Sequence, residues 1–230
     1  MKKGVIFDMD GTLLNTIYDL AASGNYVLAQ HGLGTYTEDE YKLIVGNGIQ
    51  KMVQRMLTGT NSHMSAEAEN EAFSKVSKEL FQRVYDEFVE YYDIHSEDHS
   101  GPYEGLQQLL GRMYEAGIKI AVISNKADDV VKATVQKHFG PIFTFIAGAR
   151  EGIPNKPDPT SALEAVQLFG LKKEDILYVG DSSVDMITAA RAGLTSCGVL
   201  WGFRSKQELQ RAGAVHFAAD AAELEKLIME

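Results

Sequence analysis

The sequence predicts an α/β protein, a doubly wound parallel sheet interrupted after its first strand by a helical insertion. Three observations carry this expectation. Short, nearly continuous apolar runs recur at Val5–Phe7, Ile118–Ser124, Ile142–Ala147, Ile176–Gly180 and Ser196–Leu200, as strands buried on both faces require. Helical segments alternate with the later runs, the pattern of a parallel sheet with crossover helices. Between the first two runs lies a long stretch with helical periodicity and no strand.

Val5–Phe7 opens the sheet. From Thr16 to Tyr92 apolar residues recur only at helical spacing, with Thr37 and Glu40 at capping-box spacing. A polar loop, Thr58–Ser65, precedes a charged amphipathic stretch from Glu67 to Tyr92. Its stripe of Tyr85, Phe88, Tyr91 and Tyr92 reads as the insertion's core, or as a face packing on itself or a partner. Polar Asp93–Gly101 reads as the return linker. The chain thus divides into a core of residues 1–15 and 96–230 and a helical cap of residues 16–95, with hinges near 15–17 and 93–101. An insertion directly after strand one would sit over that strand's C-terminal end, where open α/β sheets bind ligands, and so reads as a lid.

The remaining helices are predicted over 103–115, 126–138, 159–169 and 183–191, the first marked by Leu106, Leu109, Leu110 and Met113. Ser205 with Glu208, and Asp220 with Glu223, repeat the capping-box spacing.

Bulk properties bound the function. A chain of 230 residues, 45% hydrophobic and 23% charged, suits a soluble globular protein of one to two domains. No apolar run approaches the ~18 residues of a membrane span. The apolar run before Asp8 is too short for a secretory signal, so a cytoplasmic location is expected. The single cysteine, Cys197, cannot form an intramolecular disulfide and reads as a buried thiol in a reducing compartment. A net charge of −10 argues against nucleic-acid and membrane partners, but leaves room for a small phosphorylated metabolite in a locally positive pocket. Monomer and homodimer both fit.

Four short segments carry candidate chemistry. In Asp8-Met9-Asp10-Gly11-Thr12-Leu13, residues two apart in an extended segment point the same way. Two carboxylates so placed need a cation, or one must stay protonated; a solvated acidic turn is the plainer alternative. Ser124-Asn125 ends the strongest apolar run, where a hydroxyl and a backbone N–H suit either an anion or a helix N-cap. In Lys156-Pro157-Asp158-Pro159 the prolines predict a rigid, extended approach to the next helix, fixing where Lys156 projects. In Gly180-Asp181-Ser182-Ser183-Val184-Asp185 the two aspartates share one face of a helix start, which suits a hard cation or simply the helix dipole.

In this order on successive strand ends, the four segments resemble the motif set of the haloacid dehalogenase superfamily of phosphatases, which has a Rossmann-like core. The helical insertion is similar to that superfamily's small cap. Val45-Gly46-Asn47-Gly48, with the following helix ending near Arg55-Met56-Leu57, resembles phosphoglycolate phosphatases in particular. Pro102-Tyr103-Glu104-Gly105 is similar, in altered form, to the family's hinge segment. Asn15 departs from the Asp usual there, at a loop-bracing position, with little expected effect on activity.

The resemblance implies a Mg²⁺-dependent phosphomonoesterase acting on a small phosphorylated metabolite, with 2-phosphoglycolate the specific expectation. By the same resemblance, Asp8 is the nucleophile that forms an aspartyl-phosphate, and Asp10 is the acid/base. Ser124 and Lys156 would complete the catalytic set and bind phosphoryl oxygens, with Gly11, Thr12 and Asn125 also lining the substrate. Asp8, the Asp10 carbonyl and Asp181 would hold the metal, with Asp185 acting through a water or as a brace. Gly46, Asn47 and Gly48 could form an amide nest for the substrate's carboxylate, or merely a tight turn between helices.

A sugar-phosphate mutase and a pyrophosphatase are alternatives on the same scaffold, although related mutases usually carry Val where Thr12 stands. A dehalogenase would use Asp8 without magnesium, and Asp10 argues against it. A non-catalytic member would have lost carboxylates that are all present here. His95 and His99 lack a third ligand and read as a solvated hinge. Trp201-Gly202-Phe203-Arg204 reads as loop packing or as a wall of the site entrance.

Overall fold

The computed structural model describes residues 1–230. In chain order, β1 (Gly4–Phe7) and β2 (Leu14–Asn15) lead into helices α1 (Ile17–Gln30), α2 (Glu38–Ile44), α3 (Ile49–Thr58), α4 (Ala66–Phe73) and α5 (Lys78–His95). There follow β3 (Gly101–Pro102), α6 (Leu106–Glu115), β4 (Lys119–Ala127), α7 (Asp128–Phe139), β5 (Phe145–Ala149) and α8 (Thr160–Phe169). The chain ends with β6 (Ile176–Gly180), α9 (Ser183–Ala192), β7 (Thr195–Val199), α10 (Lys206–Arg211), β8 (His216–Ala218) and α11 (Ala221–Met229). It forms two compact units, Met1–Asn15 with Pro102–Glu230, and Thr16–Gly101.

In the first unit, six parallel strands run in the order β5-β4-β1-β6-β7-β8. Burial of both faces explains why the interiors of these runs are almost wholly apolar. Val5, Phe7, Val122, Leu177 and Val179 pack on one face with Leu109, Leu110 and Leu224. Ile6, Ala121, Ile123 and Tyr178 pack on the other with Ala162, Ala165, Phe169 and Ala189. Each fully buried Val, Ile or Leu side chain contributes about 1.5–3 kcal/mol. Strand order reverses at β1, so the loops after β1, β4 and β6 meet at the sheet's switch point, the ligand-binding end of such sheets.

Several boundaries differ from expectation. The strand predicted to end at Ser124 runs on to Ala127, with a register irregularity after Ile123, so Ser124 is no helix cap and α7 starts at Asp128. The Ile142–Ala147 strand becomes Phe145–Ala149, because Ile142 and Phe143 instead pack against the core cluster. Strand β8 was not predicted: in three residues only Ala218 is buried, too little for an apolar run. Ser205 and Asp220 do cap helices, accepting from the N–H groups of Glu208 and Glu223. Neither box closes, since Glu208 pairs with Arg204 and Glu223 accepts from the Ala219 N–H.

In the second unit, Thr37 and Glu40 form a complete capping box. The Glu67–Tyr92 stretch falls on two helices, with Ser77 capping the second. Of its aromatic stripe, Phe88 and Tyr92 are buried, and Tyr91 stacks on Tyr26 of α1 with ring centroids 3.9 Å apart. The unit extends past residue 95 to Gly101 for a definite reason. The buried carboxylate of Asp19 accepts the N–H groups of His99 (3.0 Å) and Ser100 (2.7 Å), tying the linker to α1. His99 Nδ1 lies 3.1 Å from Asp19 and His95 Nδ1 2.8 Å from Asp98, so the two histidines serve separate carboxylates. No helix is long and apolar enough to cross a membrane.

Candidate active site

Asp8 follows β1 directly, and its N–H continues the sheet by donating to Val179 O at 2.9 Å. Asp181 follows β6, and Asp185 lies one turn into α9. One carboxylate oxygen from each of these residues and one from Asp8 lie within 4.8 Å of one another, and all three residues are buried. Lys156 reaches the same point from the loop before α8. Its Nζ is 2.8 Å from Asp8 Oδ1 and 2.7 Å from Asp185 Oδ1.

Each carboxylate has its own support. Asp8 Oδ1 also accepts the Met9 N–H at 2.7 Å, so both recorded partners of Asp8 converge on one oxygen. Asp185 closes a capping box with Ser182, its Oδ2 accepting the Ser182 hydroxyl at 2.6 Å. Asp181 Oδ2 accepts the Phe203 N–H at 2.8 Å. Asp181 is also enclosed by two glycines. A Cβ on Gly11, whose φ is +80°, would lie 2.3 Å from Asp181 Oδ2, and one on Gly202 would lie 2.2 Å from Asp181 Cβ. Any side chain at either position would displace the carboxylate.

Three carboxylates against one ammonium leave a formal excess of two negative charges in a buried volume. Burial, then the charges of Asp185 and Asp181, push Asp8 well above the usual carboxylate range despite Lys156. Burial and Asp185 raise Asp181 to about 7. Burial opposes the charge on Lys156, but Asp185 and Asp8 outweigh it and hold the ammonium well above its ordinary value. An all-oxygen donor set with this charge deficit fits a hard divalent cation, which would return both aspartates to the ionised form.

The other predicted residues divide. The Asp10 carboxylate is not part of the acidic cluster. Beyond Asp8 the chain folds into a tight turn, with the N–H groups of Thr12, Leu13 and Leu14 all directed at Met9 O. The Asp10 carboxylate instead faces Lys126, with Oδ1 4.0 Å from its Nζ. Ser124 is buried near the end of β4, and its Oγ accepts the Lys126 N–H at 3.2 Å. The Thr12 side chain is fully buried, its hydroxyl 3.5 Å from Asp181 Oδ1, so it supports the carboxylate rather than lining a substrate. The Asn125 amide is likewise engaged, accepting the Lys156 N–H at 2.8 Å and donating to the Lys156 carbonyl at 3.0 Å. The approach to Lys156 is not extended: a turn closed by Asp158 N–H to Asn155 O (3.0 Å) spans a cis Lys156–Pro157 bond.

Further contributions come from Lys126 and from the Trp201–Phe203 segment, expected above only as loop packing or a wall of the entrance. Lys126 could have been suspected as a cation two residues past Ser124. The Phe203 N–H and the clearance at Gly202 left no signal in residue type. Trp201 donates Nε1–H to Thr12 O at 3.0 Å, so the Trp201–Phe203 segment braces the first motif and Asp181 together.

Within the helical unit, Gly46, Asn47 and Gly48 hold positive φ values of 113°, 65° and 87°. Buried Arg55 fixes this loop, donating Nη1 to Ile44 O (3.0 Å) and Gly46 O (3.4 Å) and Nη2 to Asn47 Oδ1 (3.4 Å). Arg55 Nε pairs with Glu69 at 2.7 Å, and Lys51 meets the same carboxylate at 2.6 Å.

Comparison with known proteins gives consistent matches. Residues 5–199 match the family model of haloacid dehalogenase-like hydrolases. The phosphoglycolate phosphatase of Neisseria meningitidis is 31% identical over 203 residues, 87% of this chain and 81% of that protein. That of Thiobacillus denitrificans is 31% identical over 227 residues, 96% and 94% of the two chains. A solved structure of a phosphoglycolate phosphatase candidate from Lactobacillus delbrueckii subsp. bulgaricus superposes with a TM-score of 0.88 at 33% identity, covering 99% of each chain.

Proposed function

The chain belongs to the haloacid dehalogenase-like hydrolase family as a phosphatase, and on that premise we propose that it hydrolyses a phosphate monoester through an aspartyl-phosphate on Asp8. The observation that carries this is the convergence of Asp8, Lys156, Asp181 and Asp185 at the switch point of the sheet. Asp8, the Asp10 carbonyl and Asp181 would hold a magnesium ion, which would supply neutralisation of charge on Asp8 and on the phosphoryl oxygens. Asp185 acts as a brace, since its two oxygens already serve Lys156 and Ser182.

The chemistry follows from these placements. Lys156 and the Met9 N–H converge on Asp8 Oδ1, so Oδ2 is the oxygen that attacks phosphorus. The P–O bond to the leaving alkoxide breaks as the Asp8–phosphorus bond forms, and Asp10 donates its proton to that alkoxide. Water then attacks the phosphoryl group, Asp10 takes up a proton from it, and Asp8 departs as a carboxylate. The Ser124 hydroxyl and the Lys156 ammonium bind phosphoryl oxygens, supplying the positioning on which phosphoryl transfer depends.

We infer 2-phosphoglycolate as the substrate, by likeness to the Neisseria and Thiobacillus phosphatases and from the Gly46-Asn47-Gly48 loop, whose left-handed backbone suits an amide nest for a carboxylate. The test is phosphate release from a panel of monoesters, a sugar bisphosphate and pyrophosphate, with Mg²⁺ and with EDTA. The expected result is Mg²⁺-dependent release with the highest kcat/KM on 2-phosphoglycolate. Release that is insensitive to EDTA, or confined to pyrophosphate, would overturn it.

A further inference from the structure

Lys156 is held at both ends of its side chain, and only one end belongs to the acidic cluster. At its tip, the ammonium is shared between Asp8 and Asp185. At its root, the Asn125 side chain grips the peptide of the same residue, Oδ1 taking the N–H at 2.8 Å and Nδ2 giving to the carbonyl at 3.0 Å. A primary carboxamide is suited to this because it presents one acceptor and one donor side by side, matched to one residue's N–H and C=O. Nothing in helix or sheet supplies these bonds: Lys156 lies in the loop before α8, and Asn125 lies near the end of β4. The tip's partners change during turnover, since Asp8 loses its free carboxylate when phosphorylated. The root's partners do not.

We propose that Asn125 is a positioning residue for Lys156, clamping its backbone so that the ammonium stays on the phosphoryl site throughout the reaction. This role of the side chain stands beside the expectation that Asn125 lines the substrate through its backbone N–H, and it rests on the phosphoryl-binding role given to Lys156 above.

The test is a double-mutant cycle in the full-length protein with Mg²⁺, combining Asn125→Ala with Lys156→Ala. Two readouts are taken, kcat/KM on p-nitrophenyl phosphate and the affinity for inorganic phosphate by calorimetry. With Lys156 present, Asn125→Ala is expected to lower both about tenfold or more; with Lys156→Ala the same change should have less than about a twofold effect. A loss of similar size in both backgrounds means that Asn125 acts by itself or on general stability, and overturns the proposal. Asn125→Asp keeps the acceptor and lacks the donor, so it is expected to fall between native and Asn125→Ala, and it carries the cycle if Asn125→Ala does not fold. A native protein that binds phosphate with this coupling but cleaves no ester would remove the function proposed above and leave the clamp standing.

Discussion

The acidic cluster at the sheet edge and the Gly46–Gly48 loop of the helical unit are built in opposite ways. In the first, side chains bring the charge and the backbone makes room, through glycines whose absent Cβ atoms let Asp181 approach. In the second, three left-handed residues present backbone, and a side chain, Arg55, does the holding. A cation and a nucleophile need fixed charge, whereas recognition of a small anion needs shape. The first construction should therefore fail in kcat when altered, and the second in KM and in the stability of its own unit.

The largest expected effect is on the cluster. Asp8→Asn should lower kcat by on the order of 10⁴-fold, about 5.5 kcal/mol of transition-state stabilisation, with phosphate affinity retained. Single-turnover assays decide it, and full turnover by this variant would end the comparison. Next comes Arg55→Ala, which strands the buried Glu69 with Lys51 alone. It should cost about 3–5 kcal/mol of stability in thermal or urea unfolding, and raise KM more than it lowers kcat. An unchanged KM in a folded variant would show that Arg55 does not act through the loop.

Gly48→Val places a β-branched residue at φ 87°. A rise in KM for 2-phosphoglycolate of about tenfold, with p-nitrophenyl phosphate little affected, is the expected signature of lost shape. Equal effects on both substrates would remove the loop from recognition.

The smallest effect concerns pH. With no cation bound, Asp181 titrates near 7 when folded and in the ordinary aspartate range when unfolded. The folded state thus holds the extra proton, and the associated stability is full below about pH 4 and is lost as pH rises through 7. Asp8 shifts in the same direction. Asp19, Asp128 and Glu69, which are lowered, lose their contributions only at more acid pH. The metal-free protein should therefore melt a few degrees lower at pH 8 than at pH 5.5, and MgCl₂ should raise Tm more at pH 8. The reverse order would mean that the cluster is not the cation site.

The same contrast governs what the sequence made legible. Asp8, Lys156, Asp181 and Asp185 stand out through the order of the four segments along the chain, since each segment alone also has an ordinary structural reading. Asn125 is legible only through its backbone N–H, since a side-chain amide's hydrogen bonds to a distant backbone cannot be read from its neighbours. Thr12 misled for a similar reason: its hydroxyl is next to the motif in sequence but turned toward Asp181. The Trp201–Arg204 segment is legible as loop packing or an entrance wall, but its hold on Asp181 is not, being made of a missing Cβ and a backbone N–H. Five of the main strands were visible because burial on both faces demands unbroken apolar runs; β8, at the sheet edge, faces no such demand.

The strand that carries the nucleophile has a consequence for how the chain folds. β1 precedes both of its neighbours in the chain, β4 and β6, pairing Gly4 with Lys119 on one side and with Ile176 on the other. Until β4 has left the ribosome this wholly apolar strand has no partner, and until β6 has followed one of its edges stays open. Folding of the α/β unit is thus a late, non-local event, slow by topology. Nascent chains that end before Ile176 should be the ones most dependent on chaperones.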